Sequence, residues 1–369
     1  MTDAGRALPQ SVLRAATDRR LLDETIRQGR TTRVELADVT GYSRPTVSEA
    51  VRRLVAEGLL DATGLNETGR RGRVGTFYSL GVRAGWVLAL SLDPAGVAYR
   101  TADLAGRVLH AGVRPPSAPG DVAALTGSVR AAVGEATGGI GPLRAVAVSI
   151  ANPVHPKTHQ IVRLADTPFP EGLLGPAQMI GDLVDVPVLV DNDVNLAALA
   201  EHRTGRAAGA GSFAYVYVGP GLGLGLYLGD QLIRGAHGLA GEIGYLPGLL
   251  APTVAGDLAA HKLTRPDAPP THASGLRALM DAGDEATLGA LADVVGRVIV
   301  SVAAVVDPEL VLLGGPVGAH TALLARVREM VAGVFPGAFK VVLAELGADA
   351  PLQGAQQLAV EYARTAAIS

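Results

Sequence analysis

The sequence predicts an α/β protein with a small helical head. Three observations predict it. Two short amphipathic segments joined by a glycine turn lie within the first sixty residues. From Trp86 onward, apolar strand-like runs alternate with helical stretches. Several of those runs end in turns rich in glycine or in Asp and Asn. A chain of 369 residues makes two or three domains at roughly 100–200 residues each. Apolar residues are 48% and aromatic ones only 4%, so Leu, Val, Ile and Ala must pack the cores.

The net charge of −3 conceals an asymmetry: residues 1–80 carry a balance of +3 and the rest −6. A basic front on an acidic body suits an N-terminal module that meets phosphate. The absence of cysteine excludes disulfides and every Cys-ligated zinc site. The first residues, Met1 to Arg6, lack the apolar core of a signal peptide. Apolar runs such as Val298 to Val306 fall well short of the ~18 residues of a membrane helix. The expectation is a soluble cytoplasmic protein, nucleoid-associated when bound to DNA, with no membrane partner.

In the head, Leu21, Leu22 and Ile26 recur at helical spacing and Gly29 closes the helix. Thr32-Arg33-Val34-Glu35 reads as a capping box, with Leu36 and Val39 as the buried face of the helix it starts. Gly41-Tyr42-Ser43 makes the turn. Ser43 caps a second helix, in which Val47, Val51 and Leu54 face inward while Arg44, Thr46, Ser48, Arg52 and Arg53 face outward or flank. Paired helices of this kind form a helix-turn-helix, whose second helix enters the major groove with its N-terminal residues nearest the base edges. Arg44, Pro45, Thr46, Ser48 and Arg52 are therefore the candidate DNA-reading residues. Strand-like runs at 59–61 and 74–80 flank a stretch ending Gly69-Arg70-Arg71-Gly72-Arg73. This predicts a wing whose Arg70, Arg71 and Arg73 approach a narrow minor groove.

In the body, residues 87–92 predict a strand, and 97–102 with 107–109 continue it as a meander. A helix follows at about 121–136, then buried strands at 145–150 and 188–190. Asp191-Asn192-Asp193-Val194-Asn195 comes directly after the last of these, ahead of a helical stretch from Leu196 to His202. Polar residues at the C-terminal end of a strand sit where ligands bind in open α/β sheets. A carboxylate there can accept a hydroxyl proton, and an Asn can bond hydroxyls both ways; an Asx turn with a helix cap accounts for the same residues. Val216 to Gly225 reads as a strand entering and leaving a glycine-rich turn, which lets backbone amides approach a phosphate. Gly235 to Tyr245 places Glu242 in a loop of small residues.

Together these residues resemble the ROK family (repressors, open reading frames, kinases) over essentially the whole chain. The strongest marks are Asp191 to Asn195 with Ala198-Leu199-Ala200-Glu201, and Gly241-Glu242-Ile243-Gly244. Asp307-Pro308-Glu309, Leu313-Gly314-Gly315-Pro316 and Ala350 to Ala355 support them. The resemblance implies a two-lobed, actin-like sugar-kinase fold behind a winged helix-turn-helix. It implies a head at 1–80 and a ROK domain at 81–369, with one lobe at about 84–190 plus the C-terminal helix and a second at about 191–345. It further implies a sugar site using Asn192, Asp193 and Glu242, with Asp193 at the position of the kinases' catalytic base. The loops at 219–225 and 314–315 match nucleotide-contacting segments.

The departures from the family pattern are informative. The first phosphate motif of the kinases, Asp-x-Gly-x-Thr, is matched by Ser91-Leu92-Asp93-Pro94-Ala95, and the threonine of the second by Pro220. Each change removes a hydrogen-bonding group, at roughly 1–3 kcal/mol per missing buried partner. The family's structural zinc uses one His and three Cys. Tyr245 stands at the His position and no cysteine follows, so no zinc and no other cofactor is expected. In the family's kinases that His, and a Glu beside the cysteines, also touch the sugar. Asn152 is the candidate to take their place, and His155 a second one. The sequence thus predicts a homodimeric or higher-order regulator, a repressor by family type, that binds double-stranded operator DNA and a sugar or sugar derivative. It has no catalytic residue of its own. The alternative is an active ATP-dependent sugar kinase carrying a DNA-binding head.

Overall fold

A computed structural model describes residues 9–66, 75–93, 96–118, 121–164, 175–261, 263 and 271–368. The head begins with α1 (Gln10–Gln28), which ends at Gly29 with φ +73°. A two-residue strand β1 (Thr31–Thr32) leads into α2 (Arg33–Thr40) and then α3 (Arg44–Ala56). The capping box forms in both directions: the Glu35 amide donates to Thr32 Oγ1 at 3.3 Å, and the Thr32 amide to Glu35 Oε2 at 2.7 Å. Ser43 caps α3 by accepting from the Thr46 amide at 3.3 Å. Val47, Ala50, Val51 and Leu54 are fully buried against Leu21, Leu22 and Leu36. Val39 is 51% exposed, contrary to expectation. The buried stripe of α2 is centred on adjacent Leu36 and Ala37, and Val39 lies off that line.

Strands β2 (Leu60–Asn66) and β3 (Gly75–Leu80) pair antiparallel, and β1 adds to β3, giving the order β1-β3-β2. The expected wing arginines, Arg70, Arg71 and Arg73, lie outside the described residues.

The body holds two five-stranded sheets of the same plan. In the first, β4 (Trp86–Asp93), β5 (Gly96–Asp103) and β6 (Val108–Arg114) form an antiparallel meander. Helix α4 (Val122–Glu135) then crosses to β7 (Leu143–Ile150), and α5 (Pro176–Gly181) to β8 (Val188–Asn192), both parallel additions. Helix α6 (Asp193–Thr204) leaves β8 directly. The second sheet repeats the scheme with β9 (Ser212–Val218), β10 (Leu222–Leu228) and β11 (Gln231–Ile233) as meander. Three helices, α7 (Val254–Ala260), α8 (Thr271–Asp281) and α9 (Glu285–Val306), lead to β12 (Leu310–Gly314). The short α10 (Gly315–Gly318) and α11 (Thr321–Val334) lead to β13 (Lys340–Leu343), and α12 (Ala350–Ala366) follows as the last helix. The strand orders are β6-β5-β4-β7-β8 and β11-β10-β9-β12-β13.

The helices that end the two repeats meet. Small residues of α12, namely Ala355, Ala359 and Ala363, pack over Val87, Ala89, Ala145 and Ala147 of the first sheet. Val194, Ala197 and Ala198 of α6 pack over Phe213 and Tyr215 of the second. Where α6 and α12 cross, a Cβ at Gly354 would lie 2.0 Å from the Leu196 carbonyl oxygen, so only glycine allows that approach. The same apolar cluster runs on through Ala84 and Tyr78 into the head. Helix α9 is 22 residues long and apolar enough to cross a membrane, longer than the apolar runs legible in the sequence. It packs Leu291, Val295, Val298 and Val302 into the core of the second sheet, which accounts for its composition.

Candidate functional site

A cavity of about 370 Å³ opens at the N-terminus of α6. The family-like motif supplies its floor. Asn192 caps the helix: its Oδ1 accepts from the Val194 and Asn195 amides at 3.0 and 3.1 Å, and its Nδ2 donates to the Asn152 carbonyl at 3.3 Å. The helix-cap reading of this residue is therefore realised, and Asn192 also lines the cavity. Asp193, the first residue of α6, accepts from the Val194 amide at 2.8 Å and lines the same space. Asp191 is buried and does not line it. Its carboxylate accepts from the Asn192 amide at 2.9 Å and pairs with Arg234 at 2.5 Å, tying the end of β8 to the loop that carries Glu242.

That loop comes very close to its neighbours. A Cβ at Gly241 (φ +96°) would fall 1.9 Å from the Leu224 carbonyl, and one at Gly238 (φ +80°) 2.0 Å from that of Val154. The glycines let the loop lie against both β10 and the 151–154 segment, bringing Glu242 into the lining of the cavity with Asp193. Burial pushes the Glu242 carboxyl up to about 6. Asn152 is 1% exposed and does not line the cavity, and neither does His155. Asn152 instead supports Asn192 through its carbonyl.

Asn195 carries a role that the sequence reading does not assign it. It is 5% exposed, lines the cavity, and its Oδ1 has no hydrogen-bond partner among the described residues. A buried amide oxygen without a donor is costly unless a ligand or water supplies one. The signal is present in the sequence, since position 195 is the third residue of a helix capped at 192 and returns to the capped face.

A second cavity of about 450 Å³ adjoins the first, and Ala151, Asp193, Val194, Tyr217 and Gly221 line both. Ser91, Asp93, Pro220, Gly315 and Pro316, the positions matched to phosphate loops, all border it. Tyr215 and Tyr217 fill its inner face. The backbone of Gly315 hydrogen-bonds the Tyr215 hydroxyl. Cβ atoms at Gly219 and Gly315 would sit 2.5 and 2.8 Å from the Tyr217 side chain, so the phenol lies flush between both glycine loops. Burial first, then Asp193 and Asp93, raise the Tyr217 hydroxyl above its usual range. Arg277 is the one cation on this wall among the described residues, and it is turned to the Pro316 and Ala319 carbonyls and Asp281.

The segment after Tyr245 is organised by a carboxylate. Asp257, 1% exposed, accepts from the Leu249, Leu250 and Ala251 amides at 2.7, 2.8 and 2.8 Å. These bonds, with Arg297 at 3.5 Å, hold its carboxyl below the ordinary range. The donor set here does not fit a His/Cys zinc centre. The ordered segment gives the first cavity a wall that includes Tyr245, Thr253 and Gly256.

On the head, Arg44, Pro45 and Thr46 are exposed at the start of α3, and Ser48 is half-buried. The Thr46 hydroxyl shares a 2.8 Å hydrogen bond with that of Ser43. Arg52 is exposed and forked onto Glu49 at 2.7 and 3.1 Å; a phosphate would have to compete with that pair. Two further cations stand out only in the structure. Arg30 and Arg33 are exposed and stack over Phe77 and Tyr78 of β3, at 4.1 and 5.2 Å from the ring centroids.

The ROK family profile matches residues 97–252 and 268–362, and a winged helix-turn-helix DNA-binding profile matches residues 14–61. The bifunctional enzyme NanE/NanK of Brucella melitensis is 32% identical over 196 residues, which cover 50% of this chain and 37% of that protein. The match thus spans little more than a third of the curated relative. Among solved structures, a ROK family transcriptional regulator described as a homologue of the E. coli MLC protein superposes with a TM-score of 0.72. It is 17% identical, and the match covers 96% of this chain and 98% of that one. The ROK hexokinase of Thermus thermophilus gives a TM-score of 0.55 at 27% identity, over 73% of this chain and 96% of its own.

Proposed function

The chain belongs to the ROK family and carries a winged helix-turn-helix DNA-binding domain, and on that premise we propose a transcriptional regulator whose hold on operator DNA is set by a sugar bound at the N-terminus of α6. One observation carries the reading: an unbroken run of packed helices joins the cavity to the DNA-facing helix. Asn192, Asp193 and Asn195 start α6, and α6 crosses α12 at Leu196 and Gly354. The far end of α12 is bonded to the head, Thr365 to Arg19 at 2.5 Å and Arg364 to Asp23 at 3.5 Å. Asp18 of α1 in turn holds Arg53 of α3 in a two-point fork at 2.6 and 2.9 Å.

A sugar bonded to Asn192 and Asp193 on one side and Glu242 on the other draws the two sheets together and moves α6 against α12. The ligand acts through its differential affinity for the two arrangements. In a homodimer the two heads must match half-sites about 34 Å apart or a multiple of it, so a small rotation of α12 changes the register. Ser91, Pro220 and the Tyr217 phenol all oppose productive ATP binding, and phosphoryl transfer is not part of this reading.

The rival reading, an active sugar kinase, is favoured by the NanE/NanK similarity and by Asp193 lining both cavities. One experiment addresses both. A duplex is selected from a random pool on the full-length protein, and its binding is measured with and without common hexoses and N-acetylhexosamines. ATP-dependent phosphorylation of the same sugars is assayed in parallel. A sugar that shifts duplex binding without turnover supports regulation. Turnover that disappears in Asp193→Ala replaces it with the kinase reading.

A further inference from the structure

Four arginines of the head spend their N–H groups on carboxylates: Arg19 on Asp23, Arg27 on Glu24, Arg52 on Glu49 and Arg53 on Asp18. Arg30 and Arg33 differ. Both are exposed, with Cζ over the rings of Phe77 and Tyr78 at 4.1 and 5.2 Å from the centroids. Stacking uses the face of a guanidinium and leaves the N–H donors at its edge for another partner. The nearest carboxylate in sequence, Glu35, is turned to the Thr32 amide at 2.7 Å and the Thr31 hydroxyl at 3.3 Å.

The small sheet sets where these cations stand. Thr31 and Thr32 of the edge strand β1 pair with Tyr78 and Phe77 of β3, so Arg30 and Arg33 flank the paired residues. Adjacent residues of a strand face opposite ways, and the two stacks therefore bracket the β1 edge. Three residues of chain span at most about 10 Å, which keeps both cations within reach of one stretch of backbone. Helix α2, with 8 residues and so about 12 Å long, separates Arg33 from the turn that opens α3. Phe77 lies near the start of β3, next to the β2–β3 connection. The cations thus stand between the helix that faces the major groove and the hairpin, where a sugar-phosphate strand divides one groove from the next.

We propose that Arg30 and Arg33 clamp the phosphates of one DNA strand, and that Phe77 and Tyr78 are positioning residues that aim them without touching DNA. This rests on the DNA-binding part of the reading above and deepens it with residues that carry no base preference. A phosphate oxygen pair accepts two parallel N–H bonds from one guanidinium edge, and a side chain already held in place loses less freedom on binding.

The test is fluorescence anisotropy on full-length variants over a range of salt. The probes are a duplex selected on the wild-type protein and an unrelated mixed-sequence duplex. Arg30→Ala and Arg33→Ala are each expected to bind both duplexes about tenfold less tightly. Each should also reduce the steepness of log affinity against log salt by about 0.9 per head. Phe77→Leu keeps an apolar side chain and every charge, and should cost about threefold. Because the ring acts through Arg30, adding Phe77→Leu to Arg30→Ala should cost nothing more, and Phe77→Tyr should bind like wild type. If Phe77→Leu fails to fold, Arg30→Lys gives the reading: the salt dependence stays while affinity falls about threefold with the planar stack. Losses confined to the selected duplex, or an unchanged salt dependence in both alanine variants, overturn the clamp. A Phe77→Leu loss that persists undiminished beside Arg30→Ala makes the ring structural and overturns the positioning role. A wild-type protein that binds neither duplex removes the DNA-binding reading, and this proposal with it.

Discussion

Gly354 on α12 presses against the backbone carbonyl of Leu196 on α6, so closely that a methyl group there would overlap the oxygen. Around that contact the motif glutamate Glu201 fastens the same two helices. Fully buried on α6, it accepts from the Glu345 and Leu346 amides at 2.8 Å each, in the turn that leads to α12. Gly354→Ala must push the helices apart. It is expected to lower unfolding free energy by about 1–3 kcal/mol, as overpacking does. Urea unfolding of the full chain measures it, and an unchanged midpoint would show that the crossing tolerates a side chain.

The joint between body and head predicts a separation of functions. The double variant Arg19→Ala, Arg364→Ala removes the bonds that tie Thr365 and Arg364 of α12 to Arg19 and Asp23 of α1. Binding of a selected duplex without sugar should stay within about threefold of wild type, since these partly exposed pairs are weak. The change in binding caused by sugar should be largely abolished. Fluorescence anisotropy in the presence and absence of sugar distinguishes this from simple unfolding.

For DNA, Arg44→Ala is expected to cost about 1–3 kcal/mol and to relax preference at one base position, as removing a bidentate base interaction does. Arg33→Ala should weaken all duplexes evenly and flatten the salt dependence, the behaviour of a residue that meets phosphate. Competition against single-position variants of the selected duplex separates the two. Even weakening in both variants would move base reading away from the first turn of α3.

Glu242 predicts a pH signature. Its carboxyl is raised from the ordinary 4.5 to about 6 by burial, so folding disfavours the ionised form. Its contribution to stability is fully present below pH 4.5, falls as pH rises through 6 and levels off above it. With a discount for its partial exposure the step is about 1–2 kcal/mol. Glu242→Gln should abolish the step, as read by thermal melts across that range. Sugar affinity should run the other way, declining as the pH drops through 6 and the acceptor carboxylate is protonated.

Asp257 has the opposite sign. Three amides lower its pKa, so its contribution is present above the unfolded value and disappears as pH falls through the folded one. Asp257→Ala is expected to open the 246–253 segment to limited proteolysis and to weaken sugar binding. A cleavage pattern like that of wild type would assign the ordering of this segment to something else.

Much of this is legible in the sequence because it is local. The capping box at Thr32 and Glu35, the cap at Ser43 and the inward stripe of α3 depend on residues within a few positions of each other. The motif from Asp191 to Asn195 can be located by its place after a strand. The doubling of the sheet is not legible, because β4–β8 and β9–β13 share a topology without sharing a residue pattern that periodicity detects. Val39 departs from its expected burial because a short helix buries a stripe narrower than the apolar spacing suggests.

The sequence by itself determined the winged helix-turn-helix head and the α/β body, since caps, periods and turns act over short stretches of chain, while the pairing of Asp193 with Glu242 followed only from the family resemblance of their motifs. Only the tertiary structure decided which polar atoms remain for a ligand. Asn192 Oδ1 is spent on the helix cap, its Nδ2 donates to the Asn152 backbone carbonyl, Asn195 Oδ1 is left wanting a donor, and Tyr217 stands where the two cavities meet. Free valences, and the approach of Gly354 to Leu196 that connects them to the DNA-binding head, arise from packing between residues distant in sequence. No local pattern of side chains contains that information.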